Sequence, residues 1–313
     1  MKLSLIVPCY NEAENVKNFH DTVCQVFDDC GYDYEIIFVD DGSRDATFRI
    51  LKQLYNNEIT PIKVVSFSRN FGKEAGIYAG LERADGDYIC VIDADLQQRP
   101  EIARQMVEYL DAHSKCDMVA AYQDRRGEGK VLSFFKRCFY GINNRMSDVT
   151  LRNDASDFRT FRRSVAKSIL ELGEYHRFSK GIFAWVGYDT HFIPYTACER
   201  VAGKTKWSFK KLVNYAIDGI IGFSTRPLRI ATYLGTLTGI GALIYLLVVV
   251  LQKLLVGIDV PGFATIIVLI LLLGSMQLFC IGIIGEYVGR TFEQSKHRPI
   301  YLAKEVLSRD KDN

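Results

Sequence analysis

YICVIDADLQQRPE, residues 88–101, is the stretch on which the reading of this 313-residue chain turns. Residues 88–92 form a short apolar run of strand length, and Asp93, Ala94 and Asp95 follow at once. Two carboxylates therefore leave a buried strand together at its carboxyl end. Working outward, similar apolar runs at 3–7, 35–39, 62–66 and 118–122 alternate with helical patterns at 13–28, 46–55, 73–84 and 100–113. Strands alternating with helices build an α/β domain around a mostly parallel sheet. Ligands of such sheets bind beyond the carboxyl ends of the strands.

The residues following each strand carry the chemistry. Pro8, Tyr10, Asn11 and Glu12 come after the first run, Asp40 and Asp41 after the second, residues 68–73 after the third, and Asp93 and Asp95 after the fourth. No GxGxxG or GxxxxGK loop stands at this edge, which disfavours dinucleotide and P-loop sites. A diphosphate bound here has to be neutralised by a metal and by basic side chains. Asp93 and Asp95, with a carbonyl oxygen from Gln97, offer hard oxygen ligands suited to Mg²⁺ or Mn²⁺. A DxD taken alone is equally a solvated turn or helix cap, and its position past a buried strand favours the metal. Asp40-Asp41-Gly42-Ser43 likewise reads as a turn and helix cap or as a ligand-binding element.

The rest of the composition divides the chain in two. Mean hydropathy is +0.01, but this averages an ordinary charged region up to about residue 227 with a region from 230 to 285 that is almost wholly apolar or small. Residues 230–251 and 260–285 contain no charge, and each is long enough to cross a hydrocarbon core. The turn between them holds Lys253 and Asp259, so a helical hairpin with spans at about 230–251 and 263–285 is expected. Lys204, Lys206, Lys210, Lys211, Arg226 and Arg229 precede it, and Arg290, Lys296, Arg298 and Lys304 follow. This bias puts a catalytic domain at 1–227, a tail at 286–313 and both termini on the cytoplasmic side. Residues 207–223 read as an interfacial helix, and residues 131–142 as either another or a helix packed on its own domain. The net charge of +2 is too small to argue for nucleic acid. Eight cysteines without CxxC spacing read as reduced and structural, and no signal peptide is read at Met1.

VPCYNE (7–12), VDDGSRD (39–45), RNFGKEAG (69–76) and DADLQQRPE (93–101) together resemble the inverting family 2 glycosyltransferases of GT-A fold. SDFRTFRR (156–163) and ERVAGKTKWSF (199–209), followed by two spans, are similar to the polyprenyl-phosphate branch, which includes bactoprenol glucosyltransferases and dolichyl-phosphate mannose synthase. The resemblance implies that Pro8, Tyr10, Glu12, Asp40 and Asp41 hold the base and ribose of a nucleotide sugar. Asp93, Ala94 and Asp95 then lie at its diphosphate, and Asp93, Asp95 and Gln97 coordinate Mg²⁺ or Mn²⁺. It further implies that Arg125 (or its neighbour Arg126), Arg200 and Lys206 attend the phosphates, and that Asp157 sits at the acceptor, as a base or as an orienting group. Thr205 stands where the family often has Ser.

The expected activity is transfer of a hexose, with inversion, from a nucleoside diphosphate sugar, preferably of uridine, to polyprenyl phosphate at the membrane. Other readings are a processive polysaccharide synthase, for which the QxxRW motif is only echoed by Lys206-Trp207, a DxD phosphatase, and a non-catalytic membrane scaffold. A two-span anchor is compatible with a homo-oligomer, though nothing in the sequence counts subunits.

Overall fold

The computed structural model describes residues 1–57, 60–123, 141, 144–147, 149–150, 152, 155–196, 217–256 and 262–309. Four strands form its centre: β1 (Lys2–Cys9), β2 (Asp33–Asp40), β3 (Ile62–Phe67) and β4 (Tyr88–Val91). They pair in parallel in the order β3-β2-β1-β4 and are joined by α1 (Val16–Phe27), α2 (Thr47–Asn57) and α3 (Lys73–Arg83). After α4 (Pro100–Ala112) come β5 (Met118–Gln123), β6 (Ala155–Arg162), α5 (Arg163–Glu171), α6 (Ser179–Trp185) and β7 (Thr190–Tyr195). Two long helices, α7 (Arg226–Val256) and α8 (Phe263–Ser295), lead to a last strand, β8 (Ala303–Leu307).

The eight strands make one sheet in the order β7-β5-β6-β4-β1-β2-β3-β8. Only β6 and β8 run against their neighbours, so the sheet is mostly parallel, as the strand–helix alternation implies. Alternate residues of β1 and β2 enter two cores. Leu3, Leu5, Val7, Ile36 and Phe38 pack toward α1 and α4, while Ile6, Ile37 and Val39 pack with Ala75, Ile77, Ala79 and Leu81 of α3. Burial on both faces explains why these strands read as continuous apolar runs. By contrast β6, β7 and β8 are polar or mixed, and the strand–helix alternation of the sequence does not reach them.

Residues 286–313 are read from the sequence as a tail, and the described part of it, 286–309, packs against the domain. α8 continues to Ser295, and β8 adds antiparallel to β3. Tyr301 stacks on Phe67 at 4.7 Å and donates to Glu82 at 2.5 Å, and the Ser68 amide donates to the Leu302 carbonyl at 2.9 Å. Since β8 shares a sheet with β1–β4, the chain must return to the side from which it left, and α7 and α8 form a hairpin. Both helices are long and apolar enough to cross a membrane. They extend past the uncharged stretches, and the root of the hairpin is tied to the domain. Tyr287 donates to the Ser224 carbonyl at 2.6 Å, Arg290 pairs with Asp218 at 2.5 Å, and His176 pairs with Glu293.

The turn after β2 lies close against the backbone beyond β3. Gly42 has φ +64°, and a Cβ there would lie 2.5 Å from the Arg69 carbonyl carbon, which belongs to the backbone beyond β3. Gly42→Ala combines a left-handed backbone with overpacking against main chain, at a cost of about 2–4 kcal/mol. A lowered denaturation midpoint in urea, with unchanged slope, is the expected result.

Candidate active site

The carboxyl ends of β1, β2 and β4 converge, and their loops are bonded to one another. The Asn11 amide donates to Ser43 Oγ at 2.9 Å, Asn11 Oδ1 accepts from the Arg44 amide at 2.9 Å, and the Glu12 amide donates to Thr47 Oγ1 at 2.8 Å. Asn11 itself adopts φ +54°, a conformation asparagine tolerates better than most residues. Pro8, Tyr10 and Glu12 thus stand on a loop fixed from the neighbouring strand. Glu12 Oε2 accepts from the Asn15 side chain at 2.7 Å.

Asp40 and Asp41 are almost fully buried, and both do structural work. Asp40 accepts from the Ser43 amide at 3.1 Å and from Ser66 Oγ at 2.8 Å. Asp41 accepts from the Phe71 amide at 2.6 Å and the Gly72 amide at 2.9 Å. Burial lifts the Asp41 carboxyl to about 6 in spite of these two donors. Its carboxylate is the anchor of the loop that delivers Lys73 to the start of α3.

Lys73 stands among the residues after the third strand that the sequence points to, without a role of its own there. Its ammonium lies 2.6 Å from Asp93 Oδ1 and 3.3 Å from Asp157 Oδ2. Asp157 arrives on β6, whose antiparallel register sets Arg159 against Val91 and so carries Asp157 alongside the end of β4. Burial alone would raise the Asp157 carboxyl, but Lys73, Lys180 and Arg159 outweigh it and hold Asp157 down to about 2. The same two carboxylates push Lys73 well above the ordinary lysine range against its own burial. Asp157 Oδ1 is buried and has no hydrogen-bond partner among the described residues.

Gln98 holds Asp93. Gln98 Oε1 accepts from the Asp93 amide at 2.9 Å, and its Nε2 donates to Asp93 Oδ2 at 3.2 Å and to Ser156 Oγ at 3.3 Å. The Gln97 amide donates to Asp95 Oδ1 at 3.2 Å. Between them Leu96 has φ +56°, a sharp reversal that costs roughly 1–3 kcal/mol and sets the two aspartates at the strand end. Ala94 is buried beneath them. Two carboxylates, with no cluster of three His, Cys, Asp or Glu among the described residues, leave coordination positions open. That donor set suits a divalent cation completed by phosphate and water. The ammonium on Asp93 Oδ1 shows that this oxygen already attracts positive charge. Arg125, Arg126, Arg200, Thr205 and Lys206 lie outside the described residues, as do almost all of 131–142 and residues 207–216.

Comparison with known proteins fixes the family. The model of glycosyl transferase family 2 matches residues 4–170, and that of the GtrB C-terminal hairpin matches residues 226–291. The chain belongs to glycosyl transferase family 2. It is a transferase with a GT-A-like domain and a membrane hairpin. It is 41% identical over 99% of its length to the putative glycosyltransferase CsbB of Bacillus subtilis, covering 93% of that protein. It is also 41% identical to the prophage bactoprenol glucosyl transferase homolog of Escherichia coli K12, over 98% of this chain and 99% of the relative. Among solved structures, the glucosyl-3-phosphoglycerate synthase of Mycobacterium tuberculosis, in complex with Mn²⁺, uridine diphosphate and phosphoglyceric acid, shares the fold. The TM-score is 0.50 at 19% identity, over 70% of this chain and 76% of that one.

Behind Lys73, Glu74 accepts from the amide of Ser179 at 2.9 Å and from its hydroxyl. Burial first, and then the charge of Asp157, lift the Glu74 carboxyl to about 7 although Ser179 and Lys73 oppose this. The unfolded chain releases this proton near 4.5 and the folded chain near 7, so the folded state holds more protons in between. Stability should therefore fall as pH rises from about 4.5 to 7. Glu74→Gln should flatten that slope, which thermal melts of the two proteins across this interval will measure.

Proposed function

We propose that this transferase moves a hexose, with inversion, from a nucleoside diphosphate sugar to a polyprenyl phosphate at the cytoplasmic membrane face, with UDP-sugar as donor. The observation that carries the reading is the meeting of Asp93, Lys73 and Asp157 at the strand ends, in a domain whose sheet is joined through β8 by the returning end of the hairpin. The relatives named bactoprenol glucosyl transferase support a lipid-linked acceptor. The many Lys and Arg at the base of the hairpin, against Lys253 alone near its turn, support a cytoplasmic domain.

In this reading, Pro8, Tyr10 and Glu12 border the nucleotide, while Asp40 and Asp41 keep its loops in register. Mg²⁺ or Mn²⁺ held by Asp93 and Asp95 would neutralise the diphosphate and stabilise it as leaving group. Lys73 supplies a second positive charge at the same point and keeps Asp93 and Asp157 from repelling one another. An acceptor phosphate oxygen forms the new bond at the anomeric carbon as the bond to the diphosphate breaks, and the electron pair leaves with the nucleotide. A phosphate monoester is mostly ionised near neutral pH, its second pKa being about 6, so no strong base is required. A carboxylate held near 2 is a poor base, and Asp157 acts instead as an orienting acceptor. Its side chain is 18% exposed and can take a hydrogen bond from a sugar hydroxyl or from the last proton of the acceptor.

Full-length protein in detergent, given labelled donor, Mn²⁺ and polyprenyl phosphate, should yield a chloroform-soluble labelled sugar of inverted configuration. Asp95→Ala should lower that yield roughly a hundredfold or more, in line with the loss of a major stabiliser of developing charge. Failure to form lipid-linked sugar from UDP-glucose, UDP-N-acetylglucosamine, UDP-galactose or GDP-mannose, while nucleotide still binds, would sink the acceptor assignment.

A further inference from the structure

A cavity of about 190 Å³ lies between α6 and the β5–β7 side of the sheet, and it is not among the elements that hold the donor. Arg152, Arg159 and Lys180 enter its lining together with Phe183, Tyr188 and Phe192, and no carboxylate does so among the described residues. The Arg152 guanidinium is sandwiched by rings, 4.5 Å from Tyr122 and 4.4 Å from Phe192. Among the described residues neither Arg152 nor Lys180 has an ion-pair partner. Asp157 is the carboxylate on which Lys180 and Arg159 act, and it is shared with Lys73; one carboxylate does not balance the cations gathered here, and an anion in the space relieves their repulsion.

The position of the cavity narrows what that anion is. Arg159 lines the cavity and stands two residues from Asp157 on the same face of β6, opposite Val91 at the end of β4, so the cavity adjoins the Asp157 side of the reaction centre. α6, which carries Lys180 and Phe183, is pressed onto the root of the membrane hairpin. A Cβ on Gly181 would come within 2.3 Å of the Phe223 ring, three residues before α7 begins. Trp185 at the end of α6 is 58% exposed, an aromatic of the kind found at membrane–water interfaces. Resting on the function proposed above, we infer that Arg152 and Lys180, with Arg159 behind them, form the subsite for the phosphate of the lipid acceptor, and that Phe183 and Phe192 flank its first isoprene units.

The test uses the full-length protein in detergent with the variants Arg152→Gln, Lys180→Gln and the double variant, checked for native melting. Loss of a charge-assisted contact should raise the KM for polyprenyl phosphate roughly ten- to hundredfold per site, while affinity for UDP and Mn²⁺ stays at the wild-type value. Arg152→Lys and Lys180→Arg should recover part of the loss. A second arm titrates a short-chain prenyl phosphate and, separately, inorganic phosphate into wild type and double variant. Tighter binding of the prenyl phosphate, lost in the double variant, supports a lipid subsite; equal binding of both ligands assigns the cavity to free phosphate and overturns it. An unchanged acceptor KM, or a change confined to the donor, also overturns it. Absence of any lipid product with the wild type, while the double variant still loses prenyl phosphate binding, overturns the proposed reaction and not the anion site.

Discussion

The ion-pair triad of Lys73 with Asp93 and Asp157 is the constraint around which the site is built. Two carboxylates from different strands could not share one strand edge without a cation between them, because their mutual repulsion would raise one of their pKa values or push the strands apart. Lys73 resolves this at 2.6 and 3.3 Å, and the scaffold is arranged to deliver it. Asp41 fixes the loop at Phe71 and Gly72, Gly42 lets that loop approach, and Gln98 braces Asp93 from the opposite side. The DxD is thus one corner of an arrangement that also involves β2, α3 and β6.

The second constraint is mechanical. A hairpin tied to its domain only by one linker would leave the distance from bilayer to active site undefined. Here the returning chain is built into the sheet through β8, and the residues just before it clasp Phe67 and Ser68 at the end of β3. Ser68 begins the loop that leads to Lys73. Chain connectivity together with these hydrogen bonds and this ring stacking therefore links the membrane anchor, the sheet edge and the cation in the site. Polar contacts from α8 to Tyr175, His176 and Asp218 add further attachments at the root.

Much of the central fold is legible in the sequence, because β1 to β4 are buried on both faces and must be apolar throughout. The hairpin is legible for a similar reason, since hydrocarbon tolerates no charge over about 20 residues. The edge strands are not. β6 reads ASDFRTFR, with Asp157, Arg159 and Phe161 on one face and Phe158 and Thr160 on the other, and its polar residues hide the period expected of a core strand. β8 is short and carries Lys304 and Glu305, so it reads as solvated tail. Asp93, Asp95 and Asp157 stand in motifs that point to the site; Lys73 is marked only by its place after the third strand, and Gln98 lies in a quoted motif without a local signal of its role.

The sequence by itself determined that carboxylates would crowd the end of a parallel sheet and that the chain would carry a membrane hairpin, because burial periodicity and charge-free length are properties of consecutive residues. Only the tertiary structure decided which charges meet. Lys73 and Asp157 are 84 positions apart, and the antiparallel insertion of β6 beside β4 brings them within contact. It likewise decided that Asp40 and Asp41 spend their oxygens on the loops and that the last residues close the sheet. Pair interactions at that separation depend on strand register, and no local pattern encodes register between strands so distant in the chain.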